Sequence, residues 1–266
     1  MSHRYIFYIS YRAFIVKDTT ISTLEVESIK EVLLKDSAEN MVKIKQGLTR
    51  AQNLVYTQLE SLSWLQRRLL TSTQLPPLRG WASSPDVLLH LHTHIMQARP
   101  KVVVEFGSGA STLVIADALS QNGGGKLFSI ENSKYYGAQT LSQLQQNHLQ
   151  DWVDLRIGEL ETWDAEHLNP NDASKPSLWY PKSLLQDIEN IDLIWVDGPP
   201  GNTCPYSRYP ALPALLNQLS DNVEVWMDDT IRQIEKDICE DWAQKYGFDL
   251  EYFTLEKGLG RLTRPI

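Results

Sequence analysis

Short apolar runs alternate with helical stretches from about residue 100 onward, and this order constrains the fold more than any other feature of the chain. The pattern predicts strands at 101–105, 126–130, 153–157, 192–197 and 223–227, and helices near 111–120, 134–148, 206–219 and 231–246. Runs rich in Val, Ile, Leu and Trp that alternate with helices are typical of a parallel sheet covered on both faces. Two further runs, 250–255 and 260–263, predict a terminal hairpin. We therefore expect an α/β fold.

A long helix is predicted ahead of this region. Residues 22–72 contain no Pro and a single Gly, and apolar residues recur there with a helical period. Written as heptads, position a holds a complete apolar series, namely Leu34, Met41, Leu48, Val55, Leu62 and Leu69. The d series is weaker, which is typical of a long amphipathic helix or an imperfect coiled coil. This helix could pack on the rest of the chain or on a second protomer, form a coiled-coil homodimer, or dock a partner.

Two prolines, Pro76 and Pro77, and Gly80 predict the end of this helix and a domain boundary. We expect a leader at 1–21 that is poorly ordered or a short strand, a helical region at 22–74, and an α/β domain at 75–266. Ser84, Pro85 and Asp86 predict the start of a helix that runs to about residue 98. The segment 160–190, rich in Asn, Pro, Ser and Trp, is predicted to be a long loop over one edge.

Charge and cysteine content bound the choice of partners and compartment. The net charge of −8 divides into +4 for residues 1–80 and −12 for the rest. An acidic main body argues against nucleic acid as a partner, because phosphate contacts need clustered Lys and Arg. Cys204 and Cys239 form neither a disulfide nor a zinc pattern, which predicts reduced thiols in a cytoplasmic protein. The apolar run 5–16 is too short to span a bilayer, so no stable membrane insertion is expected.

A glycine turn follows the first predicted strand. After Glu105, Gly107 and Gly109 let the backbone approach a ligand, and the next helix offers free N–H groups at its start. A dinucleotide site would have a third glycine where Thr112 stands, which disfavours a nicotinamide cofactor. Glu131 ends the second strand, where a carboxylate can accept hydrogen bonds from two ribose hydroxyls. The alternative is a tight turn alone, with Glu131 capping the following helix.

Three carboxylates follow two other predicted strands. Asp197 ends the fourth strand and Asp228 and Asp229 end the fifth, at the edge where ligands collect in open parallel sheets. Three oxygen ligands without His or Cys suit Mg²⁺, which would orient an acceptor hydroxyl and lower its pKa. The alternative is that Asp229 caps the helix at 231–246 and pairs with Arg232, leaving Asp197 or Asp228 as the general base.

These motifs together resemble the class I S-adenosylmethionine-dependent methyltransferases. The resemblance rests on the segments 105–112, 129–131 and 191–200 and on the closing hairpin, which in that family inserts an antiparallel strand at the sheet edge. It implies a Rossmann-like seven-stranded sheet over about residues 80–266. It also implies that Gly107 and Gly109 pass close to the methionine and ribose, that Glu131 holds the ribose, and that Glu159 or Leu160 faces the adenine. The implied cofactor site comprises Glu105, Gly107, Ser108, Gly109, Ser111, Thr112, Glu131, Asn132, Glu159, Leu160 and Asp197.

The acids also resemble the magnesium site of sugar O-methyltransferases of the macrocin type, with Asp197, Asp228 and Asp229 as the implied ligands. The chain departs from those enzymes after Asp197, where Gly-Pro-Pro-Gly follows and no adjacent catalytic base is visible. On the acceptor side, Arg208 and Tyr209 follow the fourth strand; Arg208 either binds an anionic acceptor or pairs with the local carboxylates. Trp179 and Tyr180 in the insert either stack on a sugar or pack as part of a lid.

The resulting prediction is an enzyme that transfers a methyl group from S-adenosylmethionine to a hydroxyl of a small molecule or glycan precursor, with Mg²⁺ as an optional aid. Asp197 and Asp228 are the predicted catalytic residues. The whole chain also resembles bacterial members of the family associated with surface polysaccharide. Two alternatives stay open, a nicotinamide-dependent oxidoreductase and a non-catalytic scaffold of the same fold that binds a partner through residues 22–72.

Overall fold

The computed structural model describes residues 23–71, 73–168 and 177–265, so the predicted leader at 1–21 lies outside the described residues. By its packing the chain divides into two units after Asn53. This division falls within helix α1 (Thr23–Arg68), which spans 46 residues. The predicted boundary at residue 75 lies further along the chain, because the last turns of α1 pack within the second unit.

Helix α1 changes character along its length. The early a residues of its heptads are exposed on the helix surface, at 58 to 65% for Leu34, Met41, Leu48 and Val55. Near its end, Leu65 and Leu69 are buried, in one apolar cluster with Leu88, Ala110 and Val114. The apolar residues at the end of the helix therefore belong to the hydrophobic core. The coiled coil predicted from the earlier heptads stays a prediction. None of the described helices is long and apolar enough to cross a membrane.

The main sheet has seven strands and confirms the predicted fold class. Its members are β1 (Val102–Phe106), β2 (Lys126–Glu131), β3 (Val153–Ile157), β6 (Ile191–Val196), β7 (Leu219–Asp228), β8 (Asp249–Phe253) and β9 (Leu259–Thr263). The order is β3-β2-β1-β6-β7-β9-β8. The first five strands in this order are parallel, and β9 lies antiparallel between β7 and β8. The chain runs outward from β1 in one direction and then returns to place β6 on its other side. Such a switch point leaves a crevice at the carboxyl ends of the two strands.

Helices cover both faces of the sheet, as the unbroken apolar runs predict. They are α2 (Pro85–Ala98), α3 (Ala110–Asn122), α4 (Lys134–Gln146) and α5 (Gln233–Tyr246). Alternate side chains of β6 enter different cores, because successive residues of a strand point to opposite faces. Ile194 lies in the cluster with Trp242 of α5, whereas Trp195 lies in the cluster with Leu91 of α2.

Two predicted elements differ from those observed. The helix predicted at 206–219 is replaced by two short 3₁₀ turns, Tyr209–Ala211 and Pro213–Gln218. Pro210 and Pro213 explain this difference, since each lacks the N–H that an α-helix needs. The insert predicted as a loop contains, in its described part, a small antiparallel pair, β4 (Glu161–Trp163) and β5 (Ser177–Trp179).

Candidate functional site

The turn after β1 brings the backbone of two strand ends into close contact. Gly107 has φ +93°, a conformation that glycine adopts without strain. A Cβ atom there would lie 3.1 Å from the carbonyl oxygen of Asp197, and one at Gly198 would collide with the Tyr180 hydroxyl. By contrast, a Cβ at Gly109 would meet no atom within 4 Å. The turn thus packs tightly against the end of β6 and leaves open space in front of Gly109.

Glu105 stabilises this turn through buried hydrogen bonds. Its side chain is fully buried, and it accepts hydrogen bonds from the hydroxyls of Ser111, Thr112 and Ser129 at 2.5 to 2.6 Å. Thr112 Oγ1 in turn accepts the amide of Gly109 at 2.8 Å. Burial raises the pKa of Glu105 to about 7, against the lowering effect of these hydroxyls. The turn is therefore shaped by three residues that were predicted as part of the cofactor site, namely Glu105, Ser111 and Thr112. Any contact of Glu105 with a ligand is indirect.

Glu131, at the end of β2, is tied to the same turn. Its Oε2 accepts the backbone amide and the hydroxyl of Ser108 at 2.9 and 3.0 Å. Its Oε1 accepts the amide of Ser133 at 2.7 Å, but the N-cap of α4 is Ser133 itself, whose hydroxyl accepts the amide of Tyr136. A carboxylate offers about four acceptor positions, so the three protein bonds leave room for one more. Glu131 thus fixes the position of Ser108 and retains capacity for a ligand donor.

One buried guanidinium joins the acids at the ends of β6 and β7. Arg208 is 3% exposed, and its Nη2 donates to Asp197 Oδ1 at 3.0 Å and to Asp229 Oδ2 at 2.9 Å. The same nitrogen donates to the Asp197 carbonyl, and Nη1 donates to the Asp228 carbonyl, each at 3.1 Å. Of the two predicted roles for Arg208, pairing with the local carboxylates is the one observed. These bonds use Nη1 and Nη2, while Nε is buried and has no hydrogen bond within the described chain.

Asp228 keeps one oxygen without a protein partner. Its side chain is 1% exposed, and Oδ1 accepts the amide of Asp229 at 2.7 Å, whereas Oδ2 is buried and has no hydrogen bond within the described chain. Burial and the charge of Asp229 raise the pKa of Asp228 to about 6. Burial and the charge of Asp228 likewise raise the pKa of Asp197 well above its usual value. These acids therefore ionise with difficulty, and Arg208 offsets their charge.

The residues at this edge do not form a ready Mg²⁺ site. In the residues that the structure describes, no group of three or more His, Cys, Asp or Glu side chains is arranged to hold a metal ion. Two of the three acids predicted as ligands are already paired, because Arg208 lies between Asp197 and Asp229. Asp229 Oδ2 also accepts a second guanidinium, that of Arg232. The pairing of Asp229 with Arg232, considered as the alternative to metal binding, is thus observed.

Two residues predicted to contact an acceptor are buried in the core instead. Trp179 has no exposed surface and its ring lies 4.9 Å from that of Phe106, so it presents no face on which a sugar could stack. Tyr209 is 1% exposed, and its hydroxyl lies 2.7 Å from Asp241 and 2.8 Å from Glu166, so its single proton is shared between the two carboxylates. In this conformation neither side chain is available to a substrate.

The remaining predicted cofactor residues lie at the rim. Glu159 is exposed and forms an ion pair with Lys134 at 2.9 Å. Leu160 is half-buried and packs on the core, and Asn132 is half-buried beside Glu131. The adenine contact assigned to Glu159 or Leu160 stays a prediction.

Tyr180, which the sequence suggested only beside Trp179 as a sugar-stacking or lid residue, lies next to the glycine turn. It is 1% exposed, its ring stacks on Phe106 at 5.6 Å, and its hydroxyl has no partner in the described chain. Burial, with the charge of Glu131, raises the pKa of Tyr180 well above its usual value, so the hydroxyl keeps its proton. A buried hydroxyl without a partner costs free energy unless a ligand or water satisfies it. No motif marks a lone tyrosine in an insert, so only the fold brings it to Gly198.

The loop ahead of α2 also reaches the acids. The Ser83 hydroxyl donates to Asp197 Oδ2 at 3.2 Å. The Lys257 ammonium, from the turn between β8 and β9, donates to the carbonyls of Gly80 and Ala82 at 2.8 and 2.6 Å. Two segments distant in sequence thereby hold the 80–84 loop against Asp197.

Comparisons with known proteins agree with this geometry. A family model described as a methyltransferase domain matches residues 104–230, the span from β1 to just beyond β7. A SAH-bound methyltransferase from Podospora anserina is 17% identical with a TM-score of 0.55, covering 78% of this chain and 87% of its own. An O-methyltransferase from Streptomyces achromogenes, involved in tomaymycin synthesis and solved with SAM, is 16% identical with a TM-score of 0.51, covering 80% and 96% respectively. No curated protein matches the chain by sequence.

The two solved structures establish likeness of fold, and the family match locates the domain within it. The resemblance to the class I S-adenosylmethionine-dependent methyltransferases is therefore confirmed. Residues 104–230 carry the glycine turn, Glu131 and all three site aspartates of that fold.

Proposed function

We propose that this protein transfers a methyl group from S-adenosylmethionine to a hydroxyl group of a small molecule or glycan precursor. The observation that carries the proposal is the turn at Gly107–Gly109, which Ser108 ties to Glu131 at the end of the neighbouring strand. Open space at Gly109 and a carboxylate with one acceptor position left fit the ribose and methionine parts of that cofactor. The unpartnered Tyr180 hydroxyl adds a donor beside the turn.

At this edge of the sheet, Asp228 is suited to accept a proton. When bound, S-adenosylmethionine supplies an activated methyl group. The oxygen of the acceptor molecule must lose a proton as it gains that methyl group. Asp228 Oδ2 can take this proton, because it is buried at this edge of the sheet and has no hydrogen bond within the described chain. Arg208 holds Asp197 and Asp229 in place and fixes the Asp228 carbonyl, so the free oxygen keeps its orientation.

Calorimetric titration of the full chain with S-adenosylmethionine and with NAD tests the cofactor. We expect binding of S-adenosylmethionine and no binding of NAD, because Thr112 anchors the turn where a dinucleotide site needs glycine. Gly109→Val fills the open space, and an overpacking cost of 1–3 kcal/mol should weaken binding by roughly 10- to 100-fold.

The matched control is Gly47→Val. Gly47 lies in α1 and a Cβ there also meets no atom within 4 Å, so the change should leave the affinity for S-adenosylmethionine as in the wild type. Binding of NAD alone would favour the oxidoreductase, and binding of neither would favour the scaffold. Unchanged affinity in Gly109→Val would show that the cofactor lies elsewhere.

A further inference from the structure

One nitrogen of Arg208 lies where a cation shared by the site acids would lie. Nη2 has three oxygen atoms around it at 2.9 to 3.1 Å, Asp197 Oδ1, the Asp197 carbonyl oxygen and Asp229 Oδ2. Nη1 of the same guanidinium contacts the third acid through the Asp228 carbonyl. A single positive group therefore reaches all three residues predicted as magnesium ligands.

A divalent cation and this guanidinium exclude each other. Mg²⁺ needs oxygen ligands at about 2.0–2.1 Å in near-octahedral geometry, and Asp197 and Asp229 would have to turn toward it. The Arg208 side chain is 4% exposed and occupies the space between the two carboxylates. It cannot yield that space by losing its charge, because a guanidinium keeps its proton in proteins.

We propose that Arg208 is a built-in cation that replaces the divalent metal, so that the site works without Mg²⁺. The proposal rests on the proposed function for its catalytic meaning. Arg208 is a positioning residue in this view, since it pairs with Asp197 and Asp229 and leaves Asp228 Oδ2 as a buried acid oxygen without a partner in the described chain. The acceptor hydroxyl would then be activated by a carboxylate alone.

Binding of Mn²⁺, followed by electron paramagnetic resonance on the chelator-treated full chain, tests the exclusion directly. We expect no Mn²⁺ site between the acids in the wild type. Arg208→Ala removes the opposing charge and should raise Mn²⁺ affinity by roughly thirtyfold or more, because the repulsion between a divalent cation and a unit charge about 4 Å away is worth about thirtyfold in affinity even in bulk water. The added change Asp229→Asn should abolish the new site.

Three further variants keep the test decisive. Arg208→Lys retains a positive charge and should bind no Mn²⁺, and Arg208→Gln serves in place of the alanine variant if the latter does not fold. Arg261→Ala is the control for a general gain of negative charge, since Arg261 forms a comparable two-bond pair with Glu224 at 2.8 and 2.9 Å. This control should show no gain in Mn²⁺ affinity.

A wild-type Mn²⁺ site that Asp229→Asn removes would overturn the proposal. So would a folded Arg208→Ala or Arg208→Gln that binds no Mn²⁺, because Arg208 would then not be the group that keeps the metal out. Titration of the same samples with S-adenosylmethionine reports separately on the proposed function. Loss of cofactor binding would defeat that function, while the Mn²⁺ result would still decide the role of Arg208.

Discussion

Glu105 illustrates how a single residue can serve the site without facing it. Three hydroxyl groups surround its buried carboxyl, and two of these hydroxyls belong to the first turn of α3. The acid at this position therefore links β1, β2 and the start of α3 into one unit. Burial of this carboxyl also opposes its ionisation and raises the pKa of Glu105 to about 7.

This raised pKa predicts a pH-dependent stability. The unfolded chain loses the Glu105 proton near pH 4.5, whereas the folded chain holds it until about pH 7, so this group makes the fold less stable as pH rises through that interval. Glu105→Gln cannot ionise and escapes the loss. Its unfolding free energy relative to wild type should increase by about 2–3 kcal/mol between pH 5 and pH 8. Urea unfolding at the two pH values measures this difference.

Exposed Glu161→Gln is the control for the Glu105 measurement, and its difference from wild type should be much smaller at either pH. The glutamine at 105 can also weaken hydrogen bonds, which would lower the unfolding free energy by the same amount at both pH values. A difference between Glu105→Gln and wild type that does not change with pH would contradict the assignment.

Asp228 leads to a prediction about rate. Asp228→Asn removes the proton acceptor while keeping the size of the side chain, so methyl transfer should slow by about 10²-fold or more. Affinity for S-adenosylmethionine should change little, because the turn at Gly107–Gly109 is untouched. Transfer of labelled methyl to a hydroxylated acceptor, together with the cofactor titration, measures both quantities. Exposed Asp249→Asn, at the start of β8, should behave as the wild type; full activity in Asp228→Asn would exclude it as the base.

At the scale of elements, the sequence predicts most of what positions the site. The parallel strands are short apolar runs, and Glu105, Glu131, Asp197 and Asp228 lie at or next to their ends as expected. The helix predicted at 206–219 is wrong because an apolar period outweighed two prolines in the interpretation. Its replacement by 3₁₀ turns matters for the site, since Arg208 comes just before the first turn.

Pairing between distant residues explains the rest of the difference. The local sequence around Arg208 does not decide between its two predicted roles. Its observed partners, Asp197 and Asp229, lie 11 and 21 residues away and meet only when β6 and β7 align. The burial of Trp179 and Tyr209 has the same origin. Sequence patterns thus identified the edge of the sheet, whereas the choice between ligand contact and internal pairing depended on tertiary packing.

Helix α1 supports a prediction about association with a second copy of the chain. Leu48 and its fellow a residues in the first part of the helix are exposed, and their heptad spacing suits a matching helix. We expect the full chain to show a concentration-dependent mass that approaches a dimer in analytical ultracentrifugation. Leu48→Lys removes two buried leucines per dimer at about 1.5–3 kcal/mol each and should weaken association by roughly 100-fold or more.

Gln46→Lys is the control for this helix, because position 46 points away from the a series and is exposed. It should associate as the wild type does. A wild-type chain that stays monomeric over the whole concentration range would refute the dimer.

For the molecule as a whole, the site draws on segments spread along most of the second unit. Ser83, the turn after β1, Tyr180 after β5, Arg208 and Lys257 all converge on the ends of β6 and β7. Such a site has few local contacts, so it forms only when the sheet is complete.

The antiparallel strand β9 is the last strand of the sheet to be synthesised, so the sheet is completed late. In the finished protein Asp228 lies opposite Leu259 and Met227 opposite Gly260. A ribosome completes β7 some thirty residues before it delivers β9, at about 5–20 residues per second, so for some seconds the nascent sheet has an open apolar edge. Unpaired edges of this kind invite pairing with other chains. Translation stalled between β7 and β9 would leave a product whose exposed edge is the same strand that carries Asp228.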